Sequence, residues 1–559
     1  MANTENEWEL EEGIPQVGDP FIQQYLKGRD ALIMEERKRR HDANLRKSLS
    51  PIAARATKIV SQIRAQEQNE LWSSGLDEVA AHQADEILYP GVMFNLAKGR
   101  MENTKLWKIV EKMPKGSLLH AHMDAMFDIN FLIDQAFSTP GIHMLAPKPL
   151  ITVHDYENAP VLFQYSSQPL EASEDKPKGR LLFPNGGEKG FREWLHTRCV
   201  LMPEHSYHHH HGVDAIWSIF TKTFPIVDSL LMYEPIFRAC LHRLLAQLAE
   251  DGIRYVEFRI GFVFQFRKEG NDKPEEDHFE WCRVVEDVVS QFKQTDAGKD
   301  FYDPRIIWTT LRWFGNEAIV NSMKQCIETK LEFPNLISGF DVVGQEDNGR
   351  PLVDLVPVLF WFRKQCAEEE VDIPFFFHAG ECLGDGDATD HNLFDAILLG
   401  TRRIGHAFSL YKHPLLIDLV KEKKILVECC PISNEVLRLA SSIKSHPLPA
   451  LLSRGVPVSL CNDDPAILGH GRNGLTHDFW QALQGLENVD LVGLSMMAQN
   501  SIRWSCYEDQ STAEWKAGIQ NGVMGTGLKA ERLQAFASDF EKFCEWVVLE
   551  FAEYDTGDD

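Results

Sequence analysis

The sequence predicts an α/β fold: a closed (β/α)8 barrel with an N-terminal helical extension and a long insertion after the first barrel strand. Three observations predict it. Eight short apolar runs recur between residues 117 and 461, helical stretches lie between them, and polar residues cluster where the runs end. Runs rich in Ile, Val, Phe and Leu suit strands buried on both faces, and eight such strands alternating with helices close into a barrel. At 559 residues, 44% hydrophobic and 25% charged, the chain has the length and composition of a large globular protein.

Residues 1–28 are acidic and polar, with Pro15 and Pro20, and read as a loosely docked arm. Residues 29–110 form a helical region. Within it Ser50-Pro51 marks a helix start, a capping residue followed by proline at the first helical position. Ala56, Ile59, Val60 and Ile63 then recur at helical spacing and define one buried face. The basic run Arg37-Lys38-Arg39-Arg40 follows Glu35 and Glu36 and reads as a solvated helix face.

The barrel is expected over residues 111–545. Its strands are read at Ser117–His122, Ile253–Arg259, Arg305–Arg312, Leu336–Val343, Ile373–His378, Arg402–His406, Ile425–Cys430 and Val456–Cys461. The gap between the first two is too long for one crossover. Residues of about 138–205, rich in Pro and Gly, are therefore an insertion, read as a small subdomain or a lid near the barrel mouth. The His208–His211 run just beyond it is a weak metal candidate, because four consecutive side chains cannot point one way. Lys268–Asp303 is charged and reads as a second, external insertion.

The net charge of −26 argues against nucleic-acid partners, since phosphate contacts need a basic face. No stretch approaches the roughly 20 apolar residues that span a bilayer, so no membrane partner is expected. The N-terminus MANTENEWELEEGI shows no signal-peptide pattern, and the eleven cysteines include no CxxC pair. A cytoplasmic location with free thiols follows as the expectation.

The first strand ends in His120-Ala121-His122, and alternate residues of a strand share a face. Two imidazoles there supply half of a tetrahedral metal shell, although such a pair alone is as often an ordinary surface or core feature. The fifth run ends in His378-Ala379-Gly380-Glu381, the sixth in Gly405-His406, and the eighth in Cys461-Asn462-Asp463-Asp464-Pro465. All these polar groups fall at C-terminal strand ends, where barrel enzymes build their sites. Asp463 and Asp464 are adjacent carboxylates that repel unless a cation neutralises one; neighbours diverge, so one can bind metal while the other faces substrate. Trp217 and Phe220, one helical turn apart, suit core packing, and Trp217 is carried as a candidate for stacking on a base or closing the pocket.

These motifs resemble the adenosine deaminase family of metal-dependent hydrolases, within the amidohydrolase superfamily. The likeness rests on MPKGSLLHAHMDA (113–125), HAGE (378–381), RIGH (403–406) and SLCNDDP (459–465). The N-terminal helices and the long insertion look most like the adenosine deaminase-related growth factor branch. The resemblance implies a TIM barrel, one zinc ion per chain on His120, His122, His378 and Asp463, and hydrolysis of adenosine and 2′-deoxyadenosine to inosine and ammonia. It implies that Glu381 protonates the purine at N1, that His406 orients the attacking water and takes up its proton, and that Asp464 bonds to N7. The backbone of Gly344 would meet N3 and Asp124 the ribose hydroxyls. A homodimer through the N-terminal helices is also implied.

Two other functions compete. An adenine nucleotide (AMP-type) deaminase would need Arg or Lys near the ribose, for which Lys176, Lys178 and Arg180 of the insertion are candidates. Asp124 disfavours a phosphate there. A nucleoside-binding or growth-factor-like signalling protein is disfavoured because every ligand and catalytic position is filled. The cytidine-deaminase type of site is excluded, since Cys429-Cys430-Pro431 supplies no P-C-x-x-C.

Overall fold

The computed structural model describes residues 12–72, 89–148, 150–168, 187–472 and 474–555. Its strands are β1 (Gly116–His122), β2 (Ile142–Leu145), β3 (Leu162–Tyr165), β4 (Ile253–Gly261), β5 (Arg305–Leu311), β6 (Ile337–Val343), β7 (His378–Ala379), β8 (Arg403–His406), β9 (Leu426–Cys429) and β10 (Val458–Leu460). Eight of them form two parallel arcs, β1-β4-β5-β6 and β10-β9-β8-β7. The arcs meet at two seams, where Ala121 bridges Asp463 and Phe340 bridges Phe375, both in parallel. At the first seam His122 N–H donates to the Asp463 carbonyl (2.9 Å) and Asp463 N–H to the His120 carbonyl (3.2 Å). The sheet is thus a closed barrel with strands in sequence order, as predicted.

The fifth barrel strand is shorter than expected. Of the run Ile373–His378, β7 keeps His378 and extends to Ala379, with a single bridge upstream at Phe375. Pro374 has no N–H to give a ladder; its carbonyl still accepts from Phe340 N–H at 2.9 Å.

The barrel interior is charged. Arg259 reaches Asp341 (2.9 Å) and Glu428 (2.7 Å), and Arg403 pairs with Glu257 (2.7 Å) and with Glu428. All five side chains are fully buried, so each charge is balanced by a partner, as interior ions require.

Around the barrel, Ser50 accepts from Ala53 N–H (3.0 Å) and caps the helix Pro51–Glu70. That helix buries Ala56, Ile59, Val60 and Ile63 and packs on the C-terminal helix Leu528–Glu550. The helix Pro20–Arg37 buries none of its residues. In the first insertion, β2 and β3 form an antiparallel hairpin around the short helix Val153–Asn158, followed by the helix Gly187–Cys199. Phe163 N–H of β3 donates to Ser229 Oγ (2.9 Å), seating the hairpin on the helix Phe224–Leu231. Lys176, Lys178 and Arg180 lie outside the described residues.

The segment Lys268–Asp303 is not an external insertion. It contains the crossover helix Phe279–Lys293, which buries Trp281, Val284, Val285, Val288, Val289 and Phe292. Those positions follow helical spacing, and packing of that face outweighs the charges flanking it.

Candidate active site

The predicted metal ligands and catalytic groups arrive at the C-terminal side of the barrel, whereas Trp217 comes from the helix Gly212–Phe220. His120 and His122 end β1, His378 opens β7, His406 ends β8, and Asp463 and Asp464 follow β10. His120, His122, His378 and Asp463 each offer a ligand atom, all within 4.8 Å of one another. The Nε2 atoms of His120 and His122 lie 3.2 and 3.4 Å from the same Asp463 oxygen, Oδ1.

The donor set fits a divalent metal. Both His120 Nε2 and Asp463 Oδ1 are buried without a hydrogen-bond partner. Leaving such atoms unsatisfied is costly, and three imidazoles converging with one carboxylate is a zinc-type shell. The other ring nitrogens are held from behind: His120 Nδ1 meets Glu428 (2.9 Å) and His378 Nδ1 meets Asp341 (2.7 Å). Carboxylates in that position fix the ring orientation and the tautomer that leaves Nε2 free to ligate. Asp341 also accepts from the backbone N–H of His378 (3.0 Å) and Val342 (2.7 Å). Ser433 Oγ donates to Asp463 Oδ2 (2.7 Å).

Backbone strain accompanies this construction. His406 (φ 62°) and Asp463 (φ 58°) both occupy the left-handed region, which costs a non-glycine residue of the order of 1–3 kcal/mol. Gly405 is demanded sterically, since a Cβ there would stand 2.8 Å from His120 Cε1. Gly344, just after β6, has φ 104°, and a Cβ on it would strike the Trp313 indole at 2.3 Å.

Three of the metal-ligand candidates, His122, His378 and Asp463, and the catalytic candidates line one cavity of about 250 Å³, near the small end of the ~300–1,000 Å³ usual for small-molecule sites; His120 stands behind its wall. Glu381, His406 and Asp464 line it, together with Asp124, Gly344 and Trp217. Trp217 is buried against Phe220 (centroids 5.1 Å apart) and still forms part of the cavity wall, so its core contacts and its exposure to a ligand coexist. Among the described residues no Lys or Arg lines the cavity, and none of the 138–205 insertion lines it either. The insertion contacts the helix Phe224–Leu231, three of whose residues line the cavity. The histidines of the 208–211 run belong to no set of three converging ligand atoms among the described residues.

Electrostatics separate the acids by role. Burial pushes the Glu381 carboxyl well above the usual range, reinforced by the Asp463 and Glu346 carboxylates. Burial does the same to Asp464, with Asp463 and Asp124 adding to it. Asp463 is held far below its ordinary value: burial opposes ionisation, but His406, His120 and His122 outweigh it. Burial drives His122 down to about 3 and His406 well below its ordinary value. Asp463 is thus shifted toward its charged form and Glu381 and Asp464 toward their protonated forms, which is the division a pocket needs to hold both a cation ligand and a proton donor.

Residues 203–522, more than half of the chain, match the family model described as adenosine deaminase. The chain belongs to the adenosine deaminase family. Among its relatives, adenosine deaminase 2 of Sus scrofa is 32% identical over 80% of this chain and 86% of its own length. Adenosine deaminase 2-A of Danio rerio is 30% identical over 81% and 87%. Among solved structures, the ADAL–IMP complex superposes with a TM-score of 0.50 at 16% identity, over 78% of this chain and 99% of its own; that likeness concerns the fold. As a member of this family the protein is a deaminase hydrolase.

Within this deaminase the structure adds residues that sequence reasoning missed. Asp341 and Glu428 stand behind the histidines, and their signal was a lone acid inside an apolar strand run. Glu346 accepts from the backbone N–H of Glu381 (2.9 Å) and Gly380 (3.2 Å) and from Asn392 Nδ2 (2.7 Å), fixing the loop that carries the acid. Asp228 and Trp313 line the cavity without any local motif to announce them.

Proposed function

We propose that this protein is a zinc-dependent adenosine deaminase, converting adenosine and 2′-deoxyadenosine to inosine and ammonia. The observation that carries the reading is the convergence of the four-residue donor set, with its orphaned buried atoms, at a cavity that Glu381 also lines. His120, His122, His378 and Asp463 would hold one zinc ion per chain, supplying Lewis-acid charge that makes a water nucleophilic near neutral pH.

The chain's own residues do the rest. Glu381, whose protonated form burial favours, donates its proton to N1 of the purine and makes the amine-bearing carbon electrophilic. Burial favours the neutral form of His406, which has Nε2 3.8 Å from Asp463 Oδ2 and Nδ1 3.6 Å from Glu381 Oε1 and accepts the proton of the attacking water. N7 is an acceptor, so Asp464 must arrive protonated to bond it, and its raised carboxyl suits that task. The Gly344 backbone would meet N3, Trp217 would pack on the base, and Asp124 would meet the sugar. A nucleoside is favoured over a nucleotide because, among the described residues, the lining offers no cation for a phosphate.

The eleven cysteines are all buried free thiols, which suits a reducing, cytoplasmic setting. Among the described residues no helix is long and apolar enough to cross a membrane. A homodimer through the N-terminal helices is supported by the helix Pro20–Arg37, which leaves Phe21, Tyr25, Leu32 and Met34 more than half exposed. Sedimentation of the full chain and of a variant with these four residues changed to Ser tests it; a monomeric parent removes the dimer.

The deciding experiment follows the ultraviolet change from adenosine to inosine, before chelation, after it, and after zinc is restored. Turnover should vanish on chelation and return with zinc. A marked preference for adenosine monophosphate, or turnover that survives full chelation, defeats the proposal.

A further inference from the structure

The end of the barrel opposite the metal ligands holds a second cavity, of about 440 Å³. Its floor lies where three successive strands begin: Phe375 shortly ahead of β7, Thr401 and Arg402 at the entry to β8, and Ile425 at the entry to β9. Its walls come from the helices Leu352–Glu368, Asn392–Leu398, Pro414–Lys423 and Thr512–Asn521. It shares no described lining residue with the catalytic cavity.

The lining is cationic. Arg363, Arg402, Lys423, Lys424 and Lys516 belong to it, and among the described residues Asp372 is its one acid. That balance inverts the chain as a whole, which has 83 acidic residues to 57 basic ones. Asp372 is already engaged by Arg402 Nη2 (3.2 Å), and among the described residues the other four cations form no ion pair. The Arg363 guanidinium lies over the Phe375 ring (4.8 Å) and donates to the Leu399 carbonyl; that of Arg402 lies over Trp515 (4.9 Å). Both forks are thus held in place by aromatic rings. The helix Pro414–Lys423 ends at this wall, and its dipole suits Lys423 and Lys424. It does not account for Arg363, inside the helix Leu352–Glu368, or for Lys516, inside Thr512–Asn521. Like charges gathered around one cavity repel one another unless an anion enters.

We propose that this cavity binds a polyphosphate group, two or more linked phosphoryl units, at the barrel end remote from catalysis. Its volume falls within the ~300–1,000 Å³ usual for small-molecule sites. Guanidinium forks match phosphoryl oxygens in pairs, and flexible lysines add point charge. A single phosphoryl or carboxylate would leave most of the five cations without a partner, whereas a linked chain neutralises several at once. The same group can arrive as a free polyphosphate or as the tail of a nucleotide, whose base would find apolar surface at Ile373, Ile397 and Trp515. Either occupant would tie the entries of β7, β8 and β9 to the helix Thr512–Asn521, so binding should raise the denaturation midpoint.

The test titrates the full-length protein, as purified, with tripolyphosphate, UTP and citrate in a calorimeter. The parent is compared with the double variant Arg363→Gln/Lys516→Gln and with Lys364→Gln/Lys421→Gln, which removes the same charge from exposed positions outside the cavity. Arg363 and Lys516 are themselves exposed, so both exchanges should leave the protein folded, which circular dichroism checks. One tripolyphosphate should bind per chain, at least about tenfold more weakly in the cavity variant and within about twofold of the parent in the control. Equal binding by all three proteins, as extraction of a metal by the polyphosphate would also give, overturns the proposal. So do equal losses in the two variants, no binding by the parent, citrate binding as tight as tripolyphosphate, or release of the anion by excess inosine, which would place it in the catalytic cavity. UTP binding tighter than tripolyphosphate assigns the site to a nucleotide, and equal or weaker binding assigns it to the bare chain.

Discussion

Asp341→Asn offers the sharpest test of how the metal centre is held. Asp341 is fully buried; Oδ2 accepts from Arg259 Nε (2.9 Å) and His378 Nδ1 (2.7 Å), and Oδ1 accepts from two backbone N–H groups. An asparagine has the same shape but replaces one acceptor with an NH2 donor. Whichever way the amide turns, two donors then face a donor. If it turns toward His378, the ring loses the contact that fixes its tautomer, a loss worth about 10–100-fold in metal affinity, or ~1.4–2.8 kcal/mol. The unpaired Arg259 charge adds to this, within the ~3–5 kcal/mol typical of a broken buried pair, moderated here by its second partner Glu428. Zinc affinity measured by competition with a chromophoric chelator should fall by at least tenfold, and denaturant stability should fall in the metal-free protein as well. Zinc affinity within threefold of the parent, in a folded variant, would refute the view that Asp341 orients His378.

Glu381→Gln should retain zinc and lose about 10²–10⁴-fold in kcat, because the proton donor goes while the ligand shell stays; metal analysis beside the ultraviolet assay checks both halves, and loss of zinc or near-normal turnover counts against the assignment. His378→Ala should release zinc at chelator concentrations the parent withstands, and full occupancy in atomic absorption would remove it from the ligand set. Glu435, buried and accepting from Phe94 N–H (2.7 Å) and Gln481 (3.0 Å), has its carboxyl pushed up to about 8 by burial. Its folded value exceeds its unfolded one, so its contribution is fully present below the ordinary carboxyl range and is lost as pH rises through about 8, a change of a few kcal/mol. Glu435→Gln should flatten the fall in denaturation midpoint between pH 6 and 9, and an unchanged slope would show that another group sets it.

Much of the site was legible because each ligand stands at the end of an apolar strand run. His120 and His122 share a face by simple alternation, and His378, His406 and Asp463 each interrupt a hydrophobic pattern where burial would otherwise punish them. What escaped was whatever depends on strands or helices far apart in sequence. Glu428 lies 308 residues from the histidine it holds, and nothing local links them. Asp228 gave no signal because a single acid in an apolar helix reads as a residue turned to solvent. The Phe279–Lys293 helix was misjudged for the opposite reason: its charges were counted and its apolar spacing was not. The shortened β7 followed from Pro374, a rule available in advance but outweighed by the run of phenylalanines beside it.

The seam between β1 and the chain after β10 has a consequence for biogenesis. The same residues that stitch the cylinder shut, His122 and Asp463, are ligand candidates, joined through backbone hydrogen bonds. Roughly the whole catalytic region must be synthesised before the last of these partners meets the first. Capture of a metal by this donor set would therefore be a late event that reports on completion of the barrel, and a chain interrupted before residue 463 would retain three histidines without the carboxylate beside them. Such a chain would bind metal loosely and catalyse nothing, so premature products of translation are chemically silent.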